Sequence, residues 1–506
     1  AIAFENAAGR DREVLDELGN TVLYGHPDAQ AILTKIQVEN DRLLILRNTV
    51  EGERPAGFVS YREIGNEDLF GVLKDMELAN LVRGKSSREI LLITGIYARE
   101  DGTGDSGVIR DAPQQLLVEV LAKELEKNYS FALFVAERGT ATKEVVYVLE
   151  RQGFIRPHMA DENDKRTIYM VDMHEPLMFL HNLDTTIKEP FASNPAVLDA
   201  VEKNHKKLQI AMTKLYPGNL VLSLSSGIMY HRLVDRITAL NDVPREPLVP
   251  RRLGKNMCVP FGKILRGKVV PNTVTKTLHT DKVYEPDLNS FTIEPFPYYS
   301  PLKSQIETIK SFDRPVILVD DLVHTANRLQ VLVPQLREDG IPIKKVVVGV
   351  LSGYGRDLMQ CLKVPVESIY SMPNLRQWFV ESTLYPFIGG DTVRREEMKV
   401  AGLQPSINMI LPYATPRLSG CSREALVEFS ACCIENSRDL FQVLEAEYRK
   451  MYAKNLTLSR LSEAVILPLC PDKGSCMEYD ENLAASVYLE NDLETLWRMK
   501  EFLIKG

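Results

Sequence analysis

Apolar positions along this chain fall into two repeating registers. Strand-length runs at 43–47, 56–64 and 89–98 read as three successive strands. A helical period follows over 113–128, with Leu116, Leu117, Val120, Leu121 and Leu125 on one face and Pro113 in its first turn, just after Asp111. Next come a strand at 131–136, a helix at 141–152 that stops at Gly153-Phe154, and a strand at 166–172. This is a strand meander followed by α/β units, closing near residue 175. The stretch 181–197, with Pro190 and Pro195, reads as a linker or the entry to a new domain.

A second α/β pattern begins there. A helix is predicted over 196–215, a strand over 219–224 and a helix over 228–240. A proline-rich stretch at 243–301 reads as irregular. The buried strands 315–319 and 344–351 flank a helix over 325–339. Strands alternating with helices imply a parallel sheet. From about 420 the pattern is helical, at 423–436, 437–452 and 484–503. The predicted organisation is 1–178, 179–400, and a helical extension or cap over 401–506.

Composition narrows the class. At 506 residues the chain is too long for one ordinary core, and 44% hydrophobic with 26% charged residues is globular composition. No apolar run reaches membrane-spanning length. A net charge of -8 removes a global basic field for nucleic acid. Seven cysteines, one adjacent pair among them, read as reduced thiols. The opening twenty residues lack the apolar core of a secretory signal, so a cytoplasmic location is expected. The first residue is Ala rather than Met, which leaves room for sequence upstream. The eight histidines show no metal spacing, and neither His174 nor His181 is expected to ligate a metal.

The sharpest chemistry lies at 316–329. The apolar strand ends in Asp320-Asp321, and a turn of small and polar residues opens a helix. Ligands of open α/β sheets bind at the carboxyl ends of strands. Backbone N–H groups at a helix start attract phosphate. Neighbouring carboxylates can hold ribose hydroxyls or reach Mg²⁺ through water. A strand end with solvated acids, one of them capping the helix, is the plain alternative.

This segment resembles the phosphoribosyl diphosphate (PRPP) motif of type I phosphoribosyltransferases. There, four apolar residues precede two acids, two apolar residues and a phosphate loop, here His324, Thr325, Ala326, Asn327 and Arg328. Upstream, Ser225, Ser226 and Gly227 resemble the family's pyrophosphate loop. The stretch between carries Arg251, Arg252, Lys255, Lys263, Arg266, Lys268, Lys276 and Lys282, where the family has a mobile basic loop that closes over the diphosphate. The resemblance spans about 195–400. It implies Asp320, Asp321, Arg266 and Lys268 as catalytic residues, Mg²⁺ at the acid pair, and PRPP and a nitrogenous base as partners. Ala326 stands at the family's usual Gly position and Arg328 at its final Thr position. Arg328 either adds a phosphate contact or crowds the pocket. Aromatics in 373–379 and 385–391 are candidates for stacking on a base. A homodimer is open.

Residues 15–175 resemble GCN5-related N-acetyltransferases. The strand order, the long strand 89–98, the Gly153-Phe154 helix end and an R-x-x-G-x-G run at Arg99, Gly102 and Gly104 carry this resemblance. It implies coenzyme A binding at that loop, with acetyl-CoA as the cofactor. Leu149 stands where the family has a general-acid Tyr; Tyr147 lies on another helix face. The expected fold is therefore α/β in two domains, an acetyltransferase-like mixed sheet and then a parallel-sheet phosphoribosyltransferase-like domain with a helical C-terminal part. The leading function is Mg²⁺-dependent PRPP binding and phosphoribosyl transfer. The alternatives are an acetyl-CoA-dependent acetyltransferase with a regulatory second domain, and a non-catalytic PRPP sensor or scaffold.

Overall fold

The computed structural model describes residues 2–49, 52–99, 111–137, 140–157, 166–395, 402–472 and 478–505. The chain forms two compact units. One is Ala1–Leu177 with Pro217–Leu222, and the other is Met178–Tyr216 with Ser223–Gly506. No helix among the described residues is long and apolar enough to cross a membrane.

The first unit runs β1 (Ile2–Ala8), α1 (Arg12–Asn20), α2 (Ala29–Glu39), β2 (Arg42–Asn48), β3 (Arg54–Ile64), α3 (Leu69–Leu73), α4 (Met76–Lys85), β4 (Ile90–Ala98), α5 (Ala112–Glu124), β5 (Phe131–Glu137), α6 (Lys143–Arg151) and β6 (Arg166–His181). The six strands lie side by side in chain order. Neighbours are antiparallel except β4 and β5, which are parallel because α5 crosses between them. The edge strand β1 and the helices α1 to α4 add to the elements that the apolar pattern predicts. The first two helices bury Leu15, Leu18, Ile32 and Ile36 against Leu43, Ile45 and Phe58. The next two bury Leu69, Leu73, Leu78 and Val82 against Ile90, Leu92, Phe131 and Leu133.

The predicted face of α5 is buried as expected. Asp111, however, does not cap that helix. It sits in a left-handed conformation (φ 66°) with no side-chain cap bond, and both its oxygens lie 3.2 Å from Arg151 Nη2. Arg151 is only 2% exposed, and a buried cation must be paired. That demand outweighs a helix cap.

The second unit contains α7 (Pro195–Thr213), β7 (Asn219–Ser225), α8 (Ser226–Leu240), β8 (Met257–Pro260), β9 (Val274–Thr275), β10 (Thr280–Tyr284), β11 (Phe291–Pro295), α9 (Leu302–Lys310), β12 (Val316–Val323), α10 (Asn327–Glu338), β13 (Ile343–Ser352), α11 (Gly353–Cys361), β14 (Val366–Met372), β15 (Gln377–Val380), α12 (Glu381–Leu384), β16 (Asp391–Val393), β17 (Gln404–Ile407), α13 (Arg423–Tyr452), β18 (Leu469–Cys470) and α14 (Ala485–Lys505). The first residues of β7 belong to the first unit, and that strand pairs with β6. A parallel sheet has the order β14-β13-β12-β8-β9. Its strands are covered on both faces, so they read as unbroken apolar runs. Leu329, Leu332, Val333 and Leu336 of α10 pack into the same core as Val316, Leu318, Val346 and Val348. A second sheet has the order β11-β10-β16-β17-β18.

Two expectations change. The stretch 243–301 is not irregular throughout: it supplies β8 to the parallel sheet and β10 and β11 to the second sheet. Short strands beside prolines and polar turns leave too little period to read. Residues 423–452 form one helix rather than two, since no Gly or Pro interrupts them. Residues 402–472 and 478–505 lie in the second unit with the parallel sheet.

Gly153 ends α6 at φ 92°, and a Cβ there would collide with the carbonyl oxygen of Asn219. Replacing Gly153 with Ala should therefore destabilise the first unit by about 1–3 kcal/mol. A lowered midpoint in chemical denaturation, followed by far-UV circular dichroism, checks this.

Candidate functional site

The strand β12 carries Asp320 and Asp321 at the end of the parallel sheet. Asp321 is tied down by backbone. Its Oδ2 accepts from Lys263 N at 2.7 Å and its Oδ1 from Ile264 N at 3.1 Å. The turn after β8 is thereby clamped to the end of β12. Gly262 makes the clamp feasible: a Cβ there would stand 2.5 Å from Asp321 Oδ1 and 2.8 Å from Asp320 Oδ1. Asp320 Oδ1 accepts from Asp321 N at 2.8 Å.

After the acids the chain turns into α10. Ala326 adopts the left-handed conformation (φ 51°) that suits the glycine usual at this place in the resembled motif. The Thr325 hydroxyl accepts from Asn327 Nδ2 at 2.9 Å. Arg328 Nη1 donates to Phe261 O at 3.0 Å, so this side chain reaches back to the clamped turn. His324 Nδ1 lies 2.8 Å from Ser352 Oγ, and burial lowers its pKa.

These groups line a cavity of about 380 Å³. Asp320, Asp321 and the turn His324 to Arg328 line it, together with Lys263, Asp281, Lys282, Tyr284 and Asp391 and with Trp378 and Phe379 of β15. A second cavity, of about 350 Å³, shares Lys263, Asp281, Arg328 and Gly390 with the first and adds Lys188 and Arg266.

Charge in this region is crowded and largely out of water. Burial pushes the Asp320 carboxyl up to about 7; Arg328 opposes the rise and Asp321 adds to it. Burial pushes Lys263 down to about 8, helped by Arg266 and Arg328. Burial also raises Asp391, against the pull of Lys282 and Lys263. Lys263 Nζ donates to Ser382 Oγ at 3.2 Å. Opposed shifts gathered in one cavity are a feature of functional sites and make this cavity the candidate.

The sequence-predicted residues are not all gathered here. Ser225, Ser226 and Gly227 open α8 and do not line either cavity; Ser226 Oγ donates to Asp184 Oδ1 at 2.5 Å. Lys268 is turned away, its Nζ 4.4 Å from the Tyr230 ring centre. Arg266 stands in the second cavity with its guanidinium 4.4 Å over the Phe296 ring. The basic residues of 251–282 do not form one open loop. Arg251, Arg252, Lys255 and Lys276 are exposed and scattered, while Met257, Cys258 and Val259 of β8 are core. Of the aromatic candidates, Tyr385 and Phe387 are fully buried, whereas Trp378 is 38% exposed on the cavity. Lys282, Asp281 and Asp391 line the cavity from the second sheet; they fall within the stretches 251–282 and 385–391 already singled out, but the sheet that brings them to the acid pair left no pattern to read. Gly262 was the available signal, as a glycine between an apolar strand and a lysine.

In the first unit, β4 and β5 are joined only by Leu91, Leu92 and Ile93 against Ala132, Leu133 and Phe134. The pairing of β3 with β4 skips Thr94, which makes a bulge there. Thr94 Oγ1 donates to the buried Asp41 at 2.8 Å. Beyond the bulge, the last residues of β4 leave β5, and the two parallel strands part. The strand order expected for an acetyltransferase-like sheet is present. Gly102 and Gly104 lie outside the described residues, and Arg99 is at their edge. Leu149 is fully buried, and Tyr147 is 42% exposed with the Arg151 guanidinium 4.8 Å from its ring centre.

No protein-family model matches the chain, and no curated protein matches it. Among solved structures, the chain is similar to the catalytic domain of a Tetrahymena GCN5 histone acetyltransferase in complex with coenzyme A, at 11% identity over 34% of this chain and 93% of that one, with a TM-score of 0.23. It is similar to Arabidopsis thaliana NAA60 in complex with acetyl-CoA at 13% identity, over 34% of this chain and 96% of that one, with a TM-score of 0.23. It is also similar to a purine phosphoribosyltransferase from Pyrococcus horikoshii Ot3 at 13% identity, over 31% of this chain and 87% of that one, with a TM-score of 0.19. At scores this low none of them decides an activity.

The Asp320 carboxyl has a folded pKa above its ordinary value of 3.8. Its protonated form suits the fold, so its contribution is fully present below about pH 4 and lost as pH rises through about 7. Asp320→Asn should match the parent's stability near pH 4 and exceed it at pH 8, as read from denaturation midpoints across that range. Gly262→Ala should lower stability by about 1–3 kcal/mol, because neither carboxylate can move without breaking the clamp.

Proposed function

We propose that the second unit binds PRPP with Mg²⁺ and transfers its phosphoribosyl group to a nitrogenous base. The observation that supports this most is the lining of a single cavity. It combines two acids at a parallel strand's carboxyl end, a left-handed turn, and the start of a helix. The backbone of 325–328 and the Arg328 fork take the 5′-phosphate. Lys263 and Arg266 face the diphosphate from the side of the clamped turn. Trp378 offers a face to the base, as an amphipathic ring on the cavity rim.

The donor set suits a hard cation. Asp320 is a half-buried carboxyl beside a second acid whose oxygens are already committed to backbone. Mg²⁺ at Asp320 would neutralise charge on the diphosphate. In the reaction the bond from the anomeric carbon to the diphosphate oxygen breaks, the bond to the base nitrogen forms, and pyrophosphate leaves with that electron pair. Asp321 acts as a positioning residue, holding the turn that carries Lys263. The double variant Asp320→Asn with Asp321→Asn should lose Mg²⁺-dependent PRPP heat in calorimetry. An unchanged affinity would overturn the assignment. A charged hydrogen bond to phosphate contributes about 1.5–3 kcal/mol, so Arg328→Ala should weaken PRPP binding roughly ten- to a hundredfold. Tighter binding in Arg328→Thr would instead identify a blocked pocket and a sensor.

A second reading belongs to the first unit. The parting of β4 from β5 after the Thr94 bulge opens the sheet where an extended acyl-CoA arm fits between parallel strands. Leu149 cannot protonate a leaving thiolate, a contribution typically worth about 10²–10⁴-fold. We therefore expect the full chain to show a thermal shift with acetyl-CoA but only slow acetyl transfer to a small amine. Rapid turnover in a thiol-release assay would make this unit the principal enzyme.

A further inference from the structure

Away from the acid pair, the second unit gathers two histidines on one buried glutamate. His181 ends β6, His205 lies within α7, and Glu381 opens α12. Glu381 is fully buried. His181 Nδ1 lies 3.3 Å from Glu381 Oε2, and His205 Nδ1 lies 2.8 Å from Oε1. One ligand atom from each residue falls within a group no wider than 4.8 Å. The two imidazole rings are 4.0 Å apart between centres.

The surroundings hold these donors in place. Tyr385 OH donates to Glu381 Oε1 at 2.9 Å, and Asn436 Nδ2 donates to Tyr385 OH at 2.9 Å. Asn436 is itself fully buried. The side-chain amide of Gln209, 2% exposed, stands 3.0 Å from His181 Nε2 through its nitrogen, while its oxygen is buried without a hydrogen-bond partner. Oxygen and nitrogen of an amide are interchangeable by a flip. Flipping Gln209 gives its orphan oxygen the Nε2–H of His181. A neutral ring protonated at Nε2 then aims the lone pair of Nδ1 at the carboxylate. Two electron-rich atoms then face each other unless a proton, as in an imidazolium, or a metal cation lies between them.

We propose that His181, His205 and Glu381 bind a divalent metal of the zinc or cobalt type. Two imidazole nitrogens and one carboxylate are a donor set for such ions rather than for Mg²⁺ or Ca²⁺. Gln209 and Tyr385 supply the outer hydrogen bonds that orient ligating groups. The ion ties the end of β6, the middle of α7 and the start of α12 together. Its role is structural and does not depend on the PRPP reading. It also steadies Ser382, which follows Glu381 and accepts from Lys263 and from Asn182 Nδ2.

The test uses the full chain, stripped with chelator and dialysed against Zn²⁺ or Co²⁺. One equivalent of Zn²⁺ per chain is expected by elemental analysis, together with a visible Co²⁺ absorption band. His205→Ala, at a partly exposed position, should weaken Zn²⁺ at least a hundredfold while retaining its circular dichroism. Gln209→Ala should weaken it ten- to a hundredfold, and His26→Ala should leave it unchanged. Failure to bind one equivalent, or the same affinity in His205→Ala as in the parent, overturns the proposal and leaves a hydrogen-bonded His–Glu–His group. Glu381→Gln should lose Zn²⁺ binding, and should that variant fail to fold, the His205 and Gln209 variants decide alone.

Discussion

The carboxylate of Asp321 accepts the backbone N–H groups of Lys263 and Ile264. Much of the candidate site hangs on that pair of bonds. They fasten a turn to the end of a strand that is some sixty residues away in sequence. They fix the direction of Lys263, and they require a residue without Cβ at Gly262. They also satisfy an acid that would otherwise be costly to keep out of water. Arg328 closes the same loop from the other side by donating to Phe261 O. The end of the parallel sheet is thus held in place before any ligand arrives, by backbone bonds to a short carboxylate and by one arginine already ordered on a carbonyl.

The electrostatics follow from that enclosure. Burial disfavours charge on Asp320 and on Lys263, so the cavity holds an acid and a base each pushed toward neutrality. A ligand that brings its own negative charge and a cation reverses both pressures. The phosphate charge favours the protonated lysine, and the cation favours the ionised aspartate.

The first unit shows a different constraint. A parallel pair needs a crossover, and α5 provides it between β4 and β5. The skipped Thr94 bends β4 away from its parallel partner, and its hydroxyl is anchored on Asp41, which is itself paired with Arg62 at 2.7 Å. Asp41, just before β2, and Thr94 within β4 thus form a polar contact beside otherwise apolar strands.

Much of this was legible in the chain. The run 316–319 with Asp320-Asp321 behind it, the apolar face of α10, and the helix end at Gly153-Phe154 are local patterns set by period and turn chemistry. So were the core face of α5 and the position of Leu149. Other features were beyond reading. The Ser225-Ser226-Gly227 turn matched a phosphate loop in sequence, but β7 pairs with β6 and the turn does not line the cavity. Lys268 counted as basic in a basic stretch, but a tyrosine ring holds it. Lys282 and Trp378, both candidates in the sequence, reach the site together with Asp391 from a second sheet and a separate strand, a convergence that no local pattern shows. His181, His205 and Glu381 meet across 176 and 200 residues of chain. Local sequence determines which segments are strands and helices, because that depends on neighbours three or four positions apart. Which distant side chains share a buried pocket is decided only when the sheets pack, because pairing and burial act between segments that carry no mark of each other.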